Sequence, residues 1–200
     1  MNTDGSEKDR EKDMQWVRDF KAGDRSAFDK IMLKHKDRVF SVCYRFLGDY
    51  QEANDSAQET FVKVFSSLKR FRMESNFSTW LYRIAVNTCK NRLKSSQFRH
   101  RKKMVPLSDP GNGEGSNPAV TLRDEGPTPN GLLLRKEKMM LIQKAIDSLP
   151  EKQKSVIILR DLEGLSYAEV STITGYPLGT VKSKLARARL GLKNRLQGVI

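Results

Sequence analysis

Apolar residues fall at helical spacing along most of the chain. Trp16, Val17 and Phe20 open the pattern. Lys21-Ala22-Gly23-Asp24 interrupts it, and Ser26 with Asp29 three residues later has the form of a capping box. Phe28, Ile31, Met32, Val39, Cys43, Phe46 and Leu47 follow at spacings of three, four and seven, which predicts an amphipathic helix. Gly48-Asp49-Tyr50 reads as a turn. Ala53, Ala57, Phe61, Val64, Phe65 and Leu68 then mark a further helix. A loop from Phe71 to Ser78 precedes the last helix of this half, which runs to about Ser95.

The pattern fails between residues 105 and 130. Pro106, Pro110, Pro118, Pro127 and Pro129 mix there with Gly111, Gly113, Gly115 and Gly126, a composition that cannot bury a core. Helical spacing resumes from Leu132 to Leu149, stops at Pro150, continues from Glu151 to Leu162 and ends at Gly164. Two more helices flank Gly175-Tyr176-Pro177. The expected fold class is all-α, with two small helical domains joined by a flexible linker. The expected boundaries are a disordered N-terminus over 1–12, a helical bundle over 13–96, the linker over 97–131 and a helix-turn-helix domain over 132–200.

That last domain carries its own chemistry. Ser166 caps a short helix with Glu169 in the capping-box position, Gly175 permits the turn, and Pro177 blocks continuation. Thr180 is the expected N-cap of the next helix. Val181, Leu185, Ala188 and Leu192 fall at i, i+4, i+7 and i+11 and face inward, leaving Lys182, Ser183, Lys184 and Arg187 outward. A short helix, a tight turn and a basic second helix make a major-groove reader. Lys182 and Arg187 can pair with guanine edges, at about 1–3 kcal/mol of discrimination per good contact. The competing reading is a helix with ordinary solvated charges; cap, turn and an acid-free run from Val170 to the C-terminus argue against it.

Charge extends this picture to the first half. The chain of 200 residues has a formal net charge of +13 and a pI near 9.8, which favours a polyanionic partner, either nucleic acid or an anionic membrane. From Ser75 to Ser108 there is again no acid, while Arg83, Lys90, Arg92 and Lys94 follow the aromatics Phe77, Trp80 and Tyr82. A helical wheel places Arg83, Asn87, Lys90 and Lys94 on one side of this helix. A basic stripe follows phosphates, and neighbouring aromatic faces take unstacked bases, so opened single-stranded nucleic acid is the expected ligand. Trp80 is read chiefly as an anchor of the loop in the core.

The preceding helix has the opposite sign. Glu52, Asp55 and Glu59 share a face, with Gln58 beside them and no base between Arg45 and Lys63. Such a face repels DNA and suits a basic protein partner. A solvated surface and a metal-binding carboxylate cluster are the alternatives. Cysteine and histidine spacing offers no zinc site, and no cofactor or metal is expected. Cys43 sits in an apolar run and reads as a buried thiol in a reducing cytosol. The N-terminus lacks the apolar core of a signal peptide, and no apolar run approaches the ~20 residues of a membrane span. The chain therefore reads as soluble and cytoplasmic.

Five motifs in register resemble the extracytoplasmic-function sigma factors, the small specificity subunits of bacterial RNA polymerase. They are Asp55-Ser56-Ala57-Gln58-Glu59-Thr60-Phe61, the segment Phe77 to Thr88, Ser148-Leu149-Pro150, Leu165-Ser166-Tyr167-Ala168-Glu169, and Gly179-Thr180-Val181-Lys182-Ser183. The resemblance covers nearly everything from Met14 and is strongest to the envelope-stress sigma factors of Gram-negative bacteria. It implies a non-catalytic protein that binds core RNA polymerase through Glu52, Asp55, Gln58 and Glu59. It implies capture of the melted minus-10 strand by Phe71, Asn76, Phe77, Arg83, Asn87, Lys90 and Lys94. Thr180, Lys182, Ser183, Lys184 and Arg187 would read the minus-35 duplex, and an anti-sigma factor, in places membrane-bound, would restrain the chain. Asn54 and Ala57 depart from the acid and the larger aliphatic residue common in the family. Two other functions compete: a polymerase-independent helix-turn-helix regulator, and a metal-dependent nucleic-acid enzyme using Asp49, Glu52 and Asp55.

Overall fold

The computed structural model describes residues 3–95 and 129–197. Among them are eight α-helices and no strand. α1 spans Thr3–Lys21, α2 Ser26–Leu47, α3 Tyr50–Ser67 and α4 Phe77–Lys94, with a 3-10 turn at Leu68–Arg70. In the second half α5 spans Pro129–Asp147, α6 Glu151–Ile157, α7 Tyr167–Thr174 and α8 Leu178–Leu196. A π-helical turn, Ile158–Leu162, prolongs α6. Most of the expected linker lies outside the described residues.

The N-terminus differs from expectation: residues read as disordered belong to α1 from Thr3 onward. The compensation is long-range. Asp13 is buried against His35 and Lys34 of α2, at 3.1 and 2.9 Å, and Lys34 also reaches Asp9. Local polarity had outweighed these contacts in the sequence pattern.

Helix ends follow the chain's chemistry with two corrections. Gly48 adopts the left-handed conformation that closes α2, and Asp49 caps α3 by accepting the Glu52 amide. The expected Ser26–Asp29 box does not form. Asp24 instead accepts both the Ser26 amide at 2.9 Å and its hydroxyl at 2.6 Å. The Ser166–Glu169 box forms in full. Thr180, expected as a cap, is already inside α8, whose capping position is Pro177.

In the first half, Val17, Phe20, Ile31, Val42, Phe46, Val64, Leu81 and Val86 interlock with almost no exposure. In the second, Ile158, Leu159, Val170, Val181 and Leu185 do the same. The two sets merge into one apolar cluster, because the C-terminal helices dock on the first half. α7 packs on α4, and α5 and the π-helical turn pack on α2. Gln143 donates to the Arg45 carbonyl across this junction at 3.2 Å.

Candidate nucleic-acid and partner surfaces

α4 presents Arg83, Asn87 and Lys94 to solvent, with Lys90 half-buried beside them. Leu81, Ala85, Val86, Thr88 and Cys89 take the inner side, so the helical wheel separates the stripe correctly. Tyr82 is also buried, and burial carries its hydroxyl pKa well above the ordinary value. Burial pushes the Lys90 ammonium the other way, below its usual range. This helix can follow phosphates along Arg83, Asn87 and Lys94.

The aromatics at its start lie deeper than a base-stacking face requires. Phe71 and Phe77 are 4 % and 1 % exposed, so neither offers a face to a base. Phe71 lies 4.8 Å from the Trp80 ring and 6.1 Å from that of Phe77, centroid to centroid. Trp80 is half-buried over them, an anchor that still reaches the surface. The three rings pack on one another at the two ends of the loop 72–76. Lys21 of α1 ties down the loop entrance by donating to the Phe71 carbonyl at 2.5 Å. Met73 has φ 59°, the left-handed region that a side chain disfavours. Asn76 caps α4 only by position.

The acidic face of α3 divides. Glu52 is only 4 % exposed and is ion-paired with Arg92 of α4, which also reaches Asp55 at 3.5 Å. Glu52 therefore joins helices and is withdrawn from the surface where it was expected. Helical spacing alone could not reveal this, because the partner lies on the next helix. Asp49 is committed to its cap. Glu59 stays outward, bridged to Lys63 at 2.6 Å, and Gln58 is exposed.

Next to Gln58 lies a feature the sequence reading missed, an apolar groove of about 640 Å³ between α2 and α3. Phe40, Tyr50, Ala57, Phe61, Val62 and Phe65 are among its apolar lining, with Lys36 and Asp37 of α2 also on its wall. Val62 is 68 % exposed and Phe65 44 %, although Phe65 fits the periodic core pattern. The available signal was Val62, an apolar residue directly after Phe61 on a helix whose inward positions were already filled.

On the C-terminal half, Val181, Leu185 and Ala188 are buried, and Lys182, Ser183 and Arg187 are exposed on α8. Thr180 and Lys184 are half-buried. Lys182 and Arg160 approach the Tyr167 ring at 5.9 and 4.8 Å, which holds the start of α8 against α7. Arg189 makes a two-pronged bridge to Asp161, at 2.9 and 2.8 Å, which fixes α8 to the π-helical turn. A short helix, a glycine turn and an outward cationic helix start are thus assembled as a helix-turn-helix. Among the described residues, no cluster of metal-ligating side chains occurs and no helix is long and apolar enough to cross a membrane.

Two family models match the chain. Residues 31–99 match sigma-70 region 2, and residues 139–192 match sigma-70 region 4. The RNA polymerase sigma-H factor of Pseudomonas aeruginosa is 37 % identical over 190 residues, covering 95 % of this chain and 96 % of its own. The ECF sigma-E factor of Escherichia coli K12 is 36 % identical over 178 residues, covering 89 % and 91 %. Among solved structures, CnrH in complex with the cytosolic domain of CnrY superposes with a TM-score of 0.65, at 19 % identity over 95 % of this chain and 97 % of that one. The sigma factor RpoE in complex with the anti-sigma factor NepR from Bartonella quintana gives 0.63, at 23 % identity over 85 % and 96 %.

A helical first region that matches sigma-70 region 2, followed by a helix-turn-helix region that matches region 4, defines a sigma-70-type transcription initiation factor. The chain belongs to the extracytoplasmic-function family of RNA polymerase sigma factors, whose members direct core polymerase to promoters.

Proposed function

We propose that this sigma factor grips a promoter at two points while its α2–α3 surface holds core polymerase. The observation that carries the reading is the placement, on one chain, of two outward cationic helices and a separate apolar groove. Arg83, Asn87, Lys90 and Lys94 follow the phosphates of the opened minus-10 strand, and the loop 72–76, with the packed rings of Phe71, Phe77 and Trp80 at its ends, receives an unstacked base. Unstacking costs a few kcal/mol, which the pocket has to recover. Lys182, Ser183, Lys184 and Arg187 read the minus-35 duplex, with Thr180 at the helix start. Phe71 and Phe77 support the pocket at its two ends.

Polymerase binding shifts from the acidic face alone to the groove it borders. Phe61, Val62 and Phe65 supply the apolar contact, and Asp55, Gln58 and Glu59 supply a polar rim that suits a basic helical partner. Asp49 and Glu52 are spent on capping and helix joining, which weighs against a metal-dependent enzyme. An anti-sigma factor, as found with NepR's partner, restrains the chain in the cytoplasm, and its targets include stress-response genes.

The test is transcription by bacterial core enzyme on the source genome with and without the purified protein. New transcript starts sharing two upstream elements are expected; no stimulation at any promoter would sink the reading. Lys182→Ala with Arg187→Ala should abolish selection of the upstream element. An unaltered set of start sites would remove those residues from the reader.

A further inference from the structure

The inward face of α1 carries two charges among its apolar residues. Asp13, Val17, Phe20 and Lys21 fall at i, i+4, i+7 and i+8, one side of a helix, and Val17 and Phe20 on that side belong to the core. Each charged member reaches one end of the loop 72–76. Lys21 donates to the Phe71 carbonyl at 2.5 Å, where the 3-10 turn ends and the backbone becomes extended. Asp13 accepts from His35 Nε2 at 3.1 Å, and the His35 ring lies 5.5 Å from that of Phe77, the first residue of α4. The loop's own ion pair, Arg72 with Glu74 at 3.9 Å, is 82 % and 76 % exposed, and pairs so open to water contribute little. Met73 nevertheless stands at φ 59°. The shape of the loop is therefore imposed from its ends.

We propose that Lys21 is a positioning residue for promoter opening: by holding the Phe71 carbonyl, it keeps the loop entrance in the form that receives an unstacked base. The inference rests on the assignment of that loop to the opened strand. Lys21 lies before residues 31–99, the segment that matches sigma-70 region 2, so the role belongs to a helix outside the matched region. A lysine serving DNA directly would keep its ammonium for phosphate; this one is committed to a carbonyl fifty residues away in sequence. A charged donor makes the stronger kind of hydrogen bond, and fixing that carbonyl fixes the peptide plane that leads into residue 72. Asp13 and His35 steady the exit end through Phe77, which leaves the entrance dependent on Lys21.

The experiment compares the full chain with Lys21→Met, which keeps the stem and loses the donor, and Lys21→Arg, which keeps a donor. Each is bound to bacterial core polymerase, on a promoter from which the native chain starts transcription. Opening is timed by permanganate reactivity of the unpaired thymines. Lys21→Met is expected to open the promoter at least about fivefold more slowly, the scale of one lost hydrogen bond, with Lys21→Arg within about twofold of the native chain. Competition for core and the melting temperature should not change. The same promoter is then made with single abasic sites, one at a time, along the non-template strand of the melted segment. At the position of the captured base the native chain should slow and its difference from Lys21→Met should vanish. Equal opening rates on the intact promoter overturn the proposal, as does a defect of the same size on every abasic template. So does a defect that arginine fails to rescue. A shallower salt dependence in Lys21→Met also overturns it, because that marks a lost phosphate contact instead. The underlying reading fails separately: a native chain indifferent to every abasic site does not capture a base in this loop. A native chain sensitive at one site, beside a uniform defect in Lys21→Met, removes Lys21 alone.

Discussion

At the scale of single residues, the sharpest case is Asp13. Burial penalises its carboxylate, but the hydrogen bond and charge of His35, together with Lys34, outweigh this and hold its pKa below the ordinary 3.8. A carboxyl depressed in the folded state stabilises the fold above its unfolded pKa, and the contribution disappears as pH falls through the lowered folded value. Asp13→Asn should cost about 1–3 kcal/mol at pH 7. Thermal melts of the two proteins should converge as the pH is taken below the carboxylate range; a gap independent of pH would refute the ion-pair account. Cys43 and Cys89 make the opposite case. Their mutual hydrogen bond and then burial push the Cys89 thiol well above its ordinary range, which suppresses the reactive thiolate. Neither should be alkylated by iodoacetamide in the native protein, and both should label in urea, as read by mass spectrometry.

At the scale of elements, α3 and α4 depend on Arg92. Arg92→Ala removes the guanidinium partner of the buried Glu52 and weakens the grip on Asp55. A loss of about 1–3 kcal/mol in urea unfolding is expected, whereas Lys94→Ala at the exposed end of the same helix should stay within about 0.5 kcal/mol. The contrast shows what was legible. Periodicity identified α2, α3, α4 and α8 and sorted inner from outer positions on α4, because a helix face is a local property. The Ser166–Glu169 box and the Gly175 turn were legible for the same reason. Glu52 is buried by Arg92 on the next helix, and Phe71 and Phe77 by the way residues 71–80 fold back on themselves, with His35 of α2 beside Phe77; none of this is a property of one helix face. Asp24 displaced the expected Ser26 cap because an acid just before the helix was better placed to accept the first amides.

At the scale of the whole molecule, the sequence predicted two helical bodies and left their relation open, since no local pattern encodes a docking face. The groove between α2 and α3 escaped for a related reason: it is a concavity shared by two helices. Val62 tests it with little risk to the core. Val62→Glu should weaken association with core polymerase at least about tenfold, about 1.4 kcal/mol, as measured by competition against a second sigma factor. The melting temperature should barely change. Unimpaired competition would return the polymerase contact to the polar rim alone.

Met73 carries a last consequence. Holding an L-residue in the left-handed region costs about 1–2 kcal/mol, and the rest of the fold absorbs that cost when the chain folds. On the proposed role, the loop meets DNA with its shape already set, and the entropy of ordering it does not fall on the binding step. Met73→Gly should invert this division of labour. The variant should be more stable to urea by up to about 1 kcal/mol, yet slower to form the open promoter complex, because a relaxed loop has to find its shape each time a base arrives.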